Sequence, residues 1–124
     1  MAFPRMIKLQ QRFDAPQVDD IPGTVKAQIE GLNLSGKVKQ GDTVAVTVGS
    51  RGVSNIAVIT KAIVEALKEL GAEPFIVPAM GSHGGGTAEG QRQIIEGYGV
   101  TEEFVGCPIR ATMEVVQVGT VEGK

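Results

Sequence analysis

Residues 43–79 constrain the fold most tightly. Thr43-Val44-Ala45-Val46-Thr47-Val48 is a β-branched run, apolar enough for a buried strand. Gly49-Ser50-Arg51-Gly52 follows as a tight loop. Ser54 or Asn55 can then cap a helix whose apolar positions are Ile56, Ile59, Ile63, Leu67 and Leu70. Gly71 stands where a left-handed residue commonly ends a helix. Pro74-Phe75-Ile76-Val77-Pro78-Ala79 reads as a second strand, kept short or near an edge by its prolines. Strand, helix, strand is a βαβ unit with parallel strands and a right-handed crossover. The expected architecture is α/β: a three-layer sandwich, Rossmann-like, with a mostly parallel sheet of about four to five strands.

The flanking segments fill out that expectation. Met6–Phe13 reads as a first strand, broken at Asp14-Ala15-Pro16. Asp19 or Asp20 can cap a helix starting near Pro22, with Val25, Ile29 and Leu32 at helical spacing. Beyond the βαβ unit, Gly81-Ser82-His83-Gly84-Gly85-Gly86 is a second glycine-rich loop, and Thr87 caps a helix to about Glu96, with Ile94 and Ile95 facing inward. Glu102-Glu103 suits the start of a short helix. Pro108–Ala111 reads as a weak strand and Glu114–Val118 as a better one. On the polar face of the central helix, Glu65 is expected to pair with Lys61 and Lys68. The 124 residues make one domain, with no internal repeat and no linker. The chain stops soon after its last expected strand, so the domain is expected to be the N-terminal part of a longer chain.

Composition narrows the partners. Formal net charge is −2, aromatics are 4 % and there is no Trp, which argues against a nucleic-acid binder. A single cysteine, Cys107, cannot form an internal disulfide and points to a reducing, cytoplasmic setting. Cys107 itself reads as a small buried residue rather than a nucleophile. No apolar run approaches about 18 residues, so no membrane-spanning helix is expected. Met1–Arg5 does not open a signal peptide.

The 17 glycines exceed the roughly nine that average usage of about 7 % would give. Much of the excess sits in the two loops, each following a predicted parallel strand and preceding a helix. In open α/β sheets the carboxyl ends of the strands are where ligands bind. The helix that follows each loop presents free N–H groups and a positive dipole end, suited to an anion. Neither loop carries a P-loop or a dinucleotide fingerprint. Each carries one conspicuous side chain. Arg51 can bind a carboxylate or phosphate through two parallel hydrogen bonds. His83 is the only histidine, the side-chain type that suits proton transfer at neutral pH. One histidine and one cysteine cannot build a metal site, so no metal ligand is assigned here.

At these loops the sequence resembles the N-terminal region of the nickel-dependent lactate racemase family. Val44–Arg51, the helix after it and Pro78-Ala79-Met80-Gly81-Ser82-His83 carry the likeness, which covers roughly residues 40 to 100. Family members have a strand ending in an Asp-x-Thr-Arg-Pro-like loop, a helix, a strand and a Gly-Thr-His loop. The resemblance implies an isomerase that racemises or epimerises a 2-hydroxy acid. A pincer cofactor derived from nicotinic acid holds nickel and accepts a hydride from the substrate α-carbon, while a histidine deprotonates the hydroxyl. His83 matches the first catalytic histidine. Gly49, Ser50 and Arg51 match the cofactor-contacting loop, and Arg51, Ser82 and Gly84 are the residues expected to meet substrate. Val48 stands where the family has aspartate, Gly52 where it has proline, and Gly84-Gly85-Gly86 where Arg-Pro would follow the histidine. These departures imply a different, bulkier 2-hydroxy acid than lactate. The second catalytic histidine, the cofactor-anchoring lysine and the nickel-ligating histidine all come later in family chains. The implied partner is therefore a C-terminal domain of the same chain, without which these residues are inactive.

Two other classes compete. One is a non-catalytic phosphate- or nucleotide-binding α/β domain, in which His83 would face bulk solvent. The other is an assembly module whose glycine loops form a flat apolar contact.

Overall fold

A computed structural model describes residues 6–122. In chain order it contains α1 (Ile21–Gly31), a 3-10 turn (Leu34–Gly36), β1 (Thr43–Val48), α2 (Ile56–Glu69), β2 (Glu73–Pro78), a second 3-10 turn (Gly84–Gly86), α3 (Ala88–Gly97) and α4 (Glu102–Val105). The chain is a mixed α/β structure. Met1–Arg5, and the last two residues of the chain end at Gly119–Lys124, lie outside the described residues.

The βαβ unit forms where the sequence places it. β1 and β2 pair in parallel, with Val44 opposite Pro74 and Val48 opposite Pro78. Side chains alternate on β1: Val44 and Val46 are half-buried and Val48 is buried, whereas Thr43, Ala45 and Thr47 are exposed. Gly71 turns the chain back at φ +84°, and its carbonyl accepts from Gly41 N (2.8 Å). α2 departs from expectation at its start. Asn55 precedes it in the left-handed region, at φ 60°, and makes no side-chain cap. Asparagine is among the few non-glycine residues that tolerate that region.

The prolines of β2 decide how far the sheet extends. Glu73 N donates to Asp42 and Ala79 N to Val48, so odd-numbered residues point their N–H groups toward β1. Even-numbered residues point away, and of these Pro74 and Pro78 have no N–H. Ile76, between them, is the one left to pair on the outer flank. Its N donates to Pro108 and its carbonyl accepts from Arg110, both at 2.8 Å, which makes a single parallel bridge to Ile109. The weak strand expected at Pro108–Ala111 is therefore one bridge long. Glu102 secures it from α4, accepting from Ile109 N (2.8 Å) while Arg92 lies 3.4 Å away.

The core sits on one face of the sheet. Val48 and Ile76 meet Val64 of α2, Ile95 of α3, Val105 of α4, and Val100, Cys107 and Ile109. Ile95 is buried and Ile94 half-buried. α1 contributes no buried residue. It lies along α2 beside Ala62 and Ala66, with Lys26 paired to Glu69 at 2.7 Å. Asp20 caps it as expected, accepting from Gly23 N (2.9 Å). Glu65 stands 4.0 Å from Lys61, but Lys68 turns the other way and donates to the Gly106 carbonyl that ends α4.

The sheet is smaller than expected: two strands and a bridge among the described residues, with helices on one face. Met6–Phe13 and Glu114–Val118 carry strand-like residues but find no neighbour to pair with. Both run without regular structure, and Val118 is 99 % exposed. The second sheet face is open at Thr43, Ala45 and Thr47 and half-covered at Phe75 and Val77. There the Arg110 guanidinium lies 4.3 Å from the Phe75 ring centre, within cation–π range. No helix among the described residues is long and apolar enough to cross a membrane.

Candidate functional site

Because β1 and β2 are parallel neighbours, the loops that leave them emerge side by side. Ala79 N donates to Val48 O (2.8 Å), and a Cβ on Gly49 would stand 3.8 Å from the Ala79 carbonyl, in ordinary contact. Between the loops lies an open cleft of ≈ 460 Å³, lined by Gly49, Ser50, Arg51, Ala79, Met80, Gly81, Ser82 and His83. Five of the six residues singled out by sequence line it together: Gly49, Ser50, Arg51, Ser82 and His83.

The two loops touch through side chains. Ser50 Oγ and His83 Nδ1 form a hydrogen bond across 33 positions of sequence. This leaves Nε2 as the second ring nitrogen of an exposed histidine. Arg51 is the single charged side chain among the lining residues, and no carboxylate faces it there. The cleft therefore favours anions.

Gly84, the sixth residue, stands behind the cleft. Its φ is +64°, and a Cβ on it would run into the backbone of Gly90 and Gln91. A Cβ on Gly90 would likewise meet the Gly84 carbonyl. The 84–86 turn thus lies directly on the first turn of α3, closed by Thr87, whose Oγ1 donates to Gly84 O (3.0 Å) and accepts from Gly90 N (3.1 Å). Gly81, at φ +58°, has open space where a Cβ would go.

Two side chains of this region carry no obvious motif. Tyr98, after the last turn of α3, donates its hydroxyl to the Ser50 carbonyl (2.9 Å). Gln91, buried on α3, donates to the Gly81 carbonyl (2.7 Å). The available signals are slight. Tyr98 is the sole tyrosine, set between Gly97 and Gly99, and Gln91 is a polar residue four before Ile95 on the buried face of its helix.

Other features lie apart from the cleft. A hollow of ≈ 560 Å³ between the start of α1 and α2 is lined by Val18, Ile21, Val25 and Ile59 with Gln17, Thr24, Ser54 and Asn55, and none of these side chains titrates. Cys107 is in the core, where burial pushes its thiol up from the usual value. Among the described residues no three His, Cys, Asp or Glu side chains group to hold a metal ion. Searches of known protein families, curated proteins and solved structures find no significant match to this chain.

Proposed function

We propose that this chain is the N-terminal α/β domain of a lactate racemase-like isomerase, which racemises or epimerises a 2-hydroxy acid. The observation that carries the reading is the Ser50–His83 contact beside Arg51 in one cleft: an oriented base next to an anion-binding cation. Arg51 holds the substrate carboxylate, with Ser82 alongside. His83 Nε2 takes the proton of the substrate hydroxyl and can return it.

The nickel-pincer nucleotide of that family supplies, when bound, reversible acceptance of the α-hydrogen with its electrons. The donor set here fits the anionic part of such a cofactor. Arg51 is free of carboxylate partners in the cleft, and Gly81 leaves open space where a side chain would crowd a ligand. Gly49, Ser50 and Arg51 would contact it. The metal's ligands and the anchoring lysine belong, in this proposal, to a C-terminal domain of the same chain. That domain also covers the bare sheet face and completes a three-layer, Rossmann-like sandwich. Gly84 serves the substrate side indirectly, through the close packing that places His83. The lone buried thiol fits a reducing, cytoplasmic setting.

A phosphate-binding domain is the second reading, supported by Arg51 and the two helix N-termini. Titration of the isotope-labelled chain separates the two. With mandelate, a 2-hydroxy acid bulkier than lactate, as the probe, the His83 imidazole and the amides of 49–51 and 81–83 shift, and Arg51→Gln weakens binding about tenfold or more, as loss of a charged hydrogen bond requires. Inorganic phosphate shifting the first turns of α2 and α3, with His83 unmoved by either ligand, would overturn the isomerase reading in favour of the second.

A further inference from the structure

We infer that α3 is a positioning element for the base. Tyr98 and Gln91 hold the two loops so that Ser50 Oγ meets His83 Nδ1, and thereby set which imidazole nitrogen is free. This rests on the reading of His83 as a base that works through Nε2.

The two residues are seven apart, about two turns of helix, with Gln91 within α3 and Tyr98 capping its C-terminal end. Each reaches a main-chain carbonyl of a different loop: Tyr98 that of Ser50, Gln91 that of Gly81. For the first loop the anchor is singular. Among the described residues, no other hydrogen bond reaches the main chain of residues 50–52. That stretch lies between Gly49 and the left-handed Asn55 and contains Gly52, so it has little stiffness of its own. The second loop turns at Gly81 and carries His83 two residues on. Gln91 fixes the carbonyl at that turn from a buried position. With α3 as a common bracket, the spacing of the loops becomes a property of one helix.

The chemical consequence lies in the tautomer. Neutral imidazole carries one N–H. If Nδ1 bears it and donates to Ser50 Oγ, Nε2 keeps its lone pair and can accept a proton from a substrate hydroxyl. If Ser50 donates to Nδ1, Nε2 bears the hydrogen and the ring cannot act as that base. Holding Ser50 by its carbonyl keeps Oγ on Nδ1 in either tautomer, so Nε2 is the nitrogen left for a substrate, and the base reading requires the first of the two. Tyr98 and Gln91 are positioning residues, since neither lines the cleft.

His83 is the only histidine, so its imidazole 15N resonances are unambiguous in the intact chain. Wild type should show a protonated Nδ1 and a bare Nε2 in the neutral ring. Tyr98→Phe removes one partly exposed hydroxyl. It should move the two 15N shifts toward their Ser50→Ala values as the Ser50–His83 contact loosens, leaving amide shifts outside the loops in place. Gln91→Met should do the same through the second loop, and provides the test independently of Tyr98. Ser50→Ala removes the contact itself and sets the size of a complete loss. If both α3 variants keep the wild-type nitrogen shifts while Ser50→Ala moves them, the positioning role is overturned and the base reading stands. A wild-type ring protonated at Nε2 would instead overturn the base reading.

Discussion

Gly84 and Gly90 touch backbone to backbone, and that contact seats the histidine loop on α3. Alanine at 84 meets both a left-handed φ and the Gly90 carbonyl. Alanine at 85, at φ +68°, meets only the first, because a Cβ there has open space. Gly85→Ala should therefore cost about 1–2 kcal/mol, and Gly84→Ala a further ~1–3 kcal/mol from overpacking. Urea unfolding of both variants checks the order, and equal losses would contradict the close packing. Cys107 gives a second prediction at this scale. Burial raises its thiol pKa in the folded chain above the unfolded value. The unfolded chain thus ionises first as pH rises, so stability is intact below the unfolded pKa and falls as pH climbs toward the folded one. Unfolding followed from pH 8 to pH 10.5, roughly bracketing the ordinary thiol range, should show this decline, and Cys107→Ala should flatten that part of the profile. His83 and Arg51 were legible in the sequence because each stands alone in a glycine loop. Tyr98 and Gln91 were not, because their partners are carbonyls: Ser50 lies 48 positions from Tyr98, and any residue has a carbonyl.

Elements were legible where the pattern is local. The β-branched run of β1, the helical spacing of α2 and the caps at Asp20 and Thr87 depend on near neighbours, and each formed. Met6–Phe13 and Glu114–Val118 did not form strands, because a strand needs a partner and a suitable sequence only permits one. The prolines of β2 were read as an edge signal. Their parity sharpens this: both lack the N–H on the outer flank, which confines the third strand position to Ile76. α1 and α2 differ in a way that amide exchange can measure. α1 buries no residue and lies on α2 through half-buried side chains, whereas α2 carries Val64, fully buried in the core. Amides of α1 should exchange by local opening, well ahead of those of α2 and β2, which should open only with the whole fold. Uniform protection across α1 and α2 would show that the two helices unfold as one unit.

At the scale of the molecule, one helical layer covers one face of a short parallel sheet, and the two loops leaving that sheet share a cleft. The opposite face is partly bare, and apolar residues at both ends of the described chain are exposed, among them Leu9, Phe13, Val115 and Val118. In the proposed function these are residues that a further domain would cover. In the proposed enzyme that domain is the C-terminal one, and the cleft is half of the active site. The most direct measurement is enantiomer interconversion of a 2-hydroxy acid in D2O, with the chain joined to the polypeptide proposed to follow it. Transfer of the α-hydrogen with its electrons returns the substrate's own hydrogen, so both enantiomers should appear without deuterium at the α-carbon. His83→Ala should abolish the interconversion, and the 124-residue chain alone should show none. Turnover by the chain alone, deuterium at the α-carbon, or full activity without His83 would contradict the account.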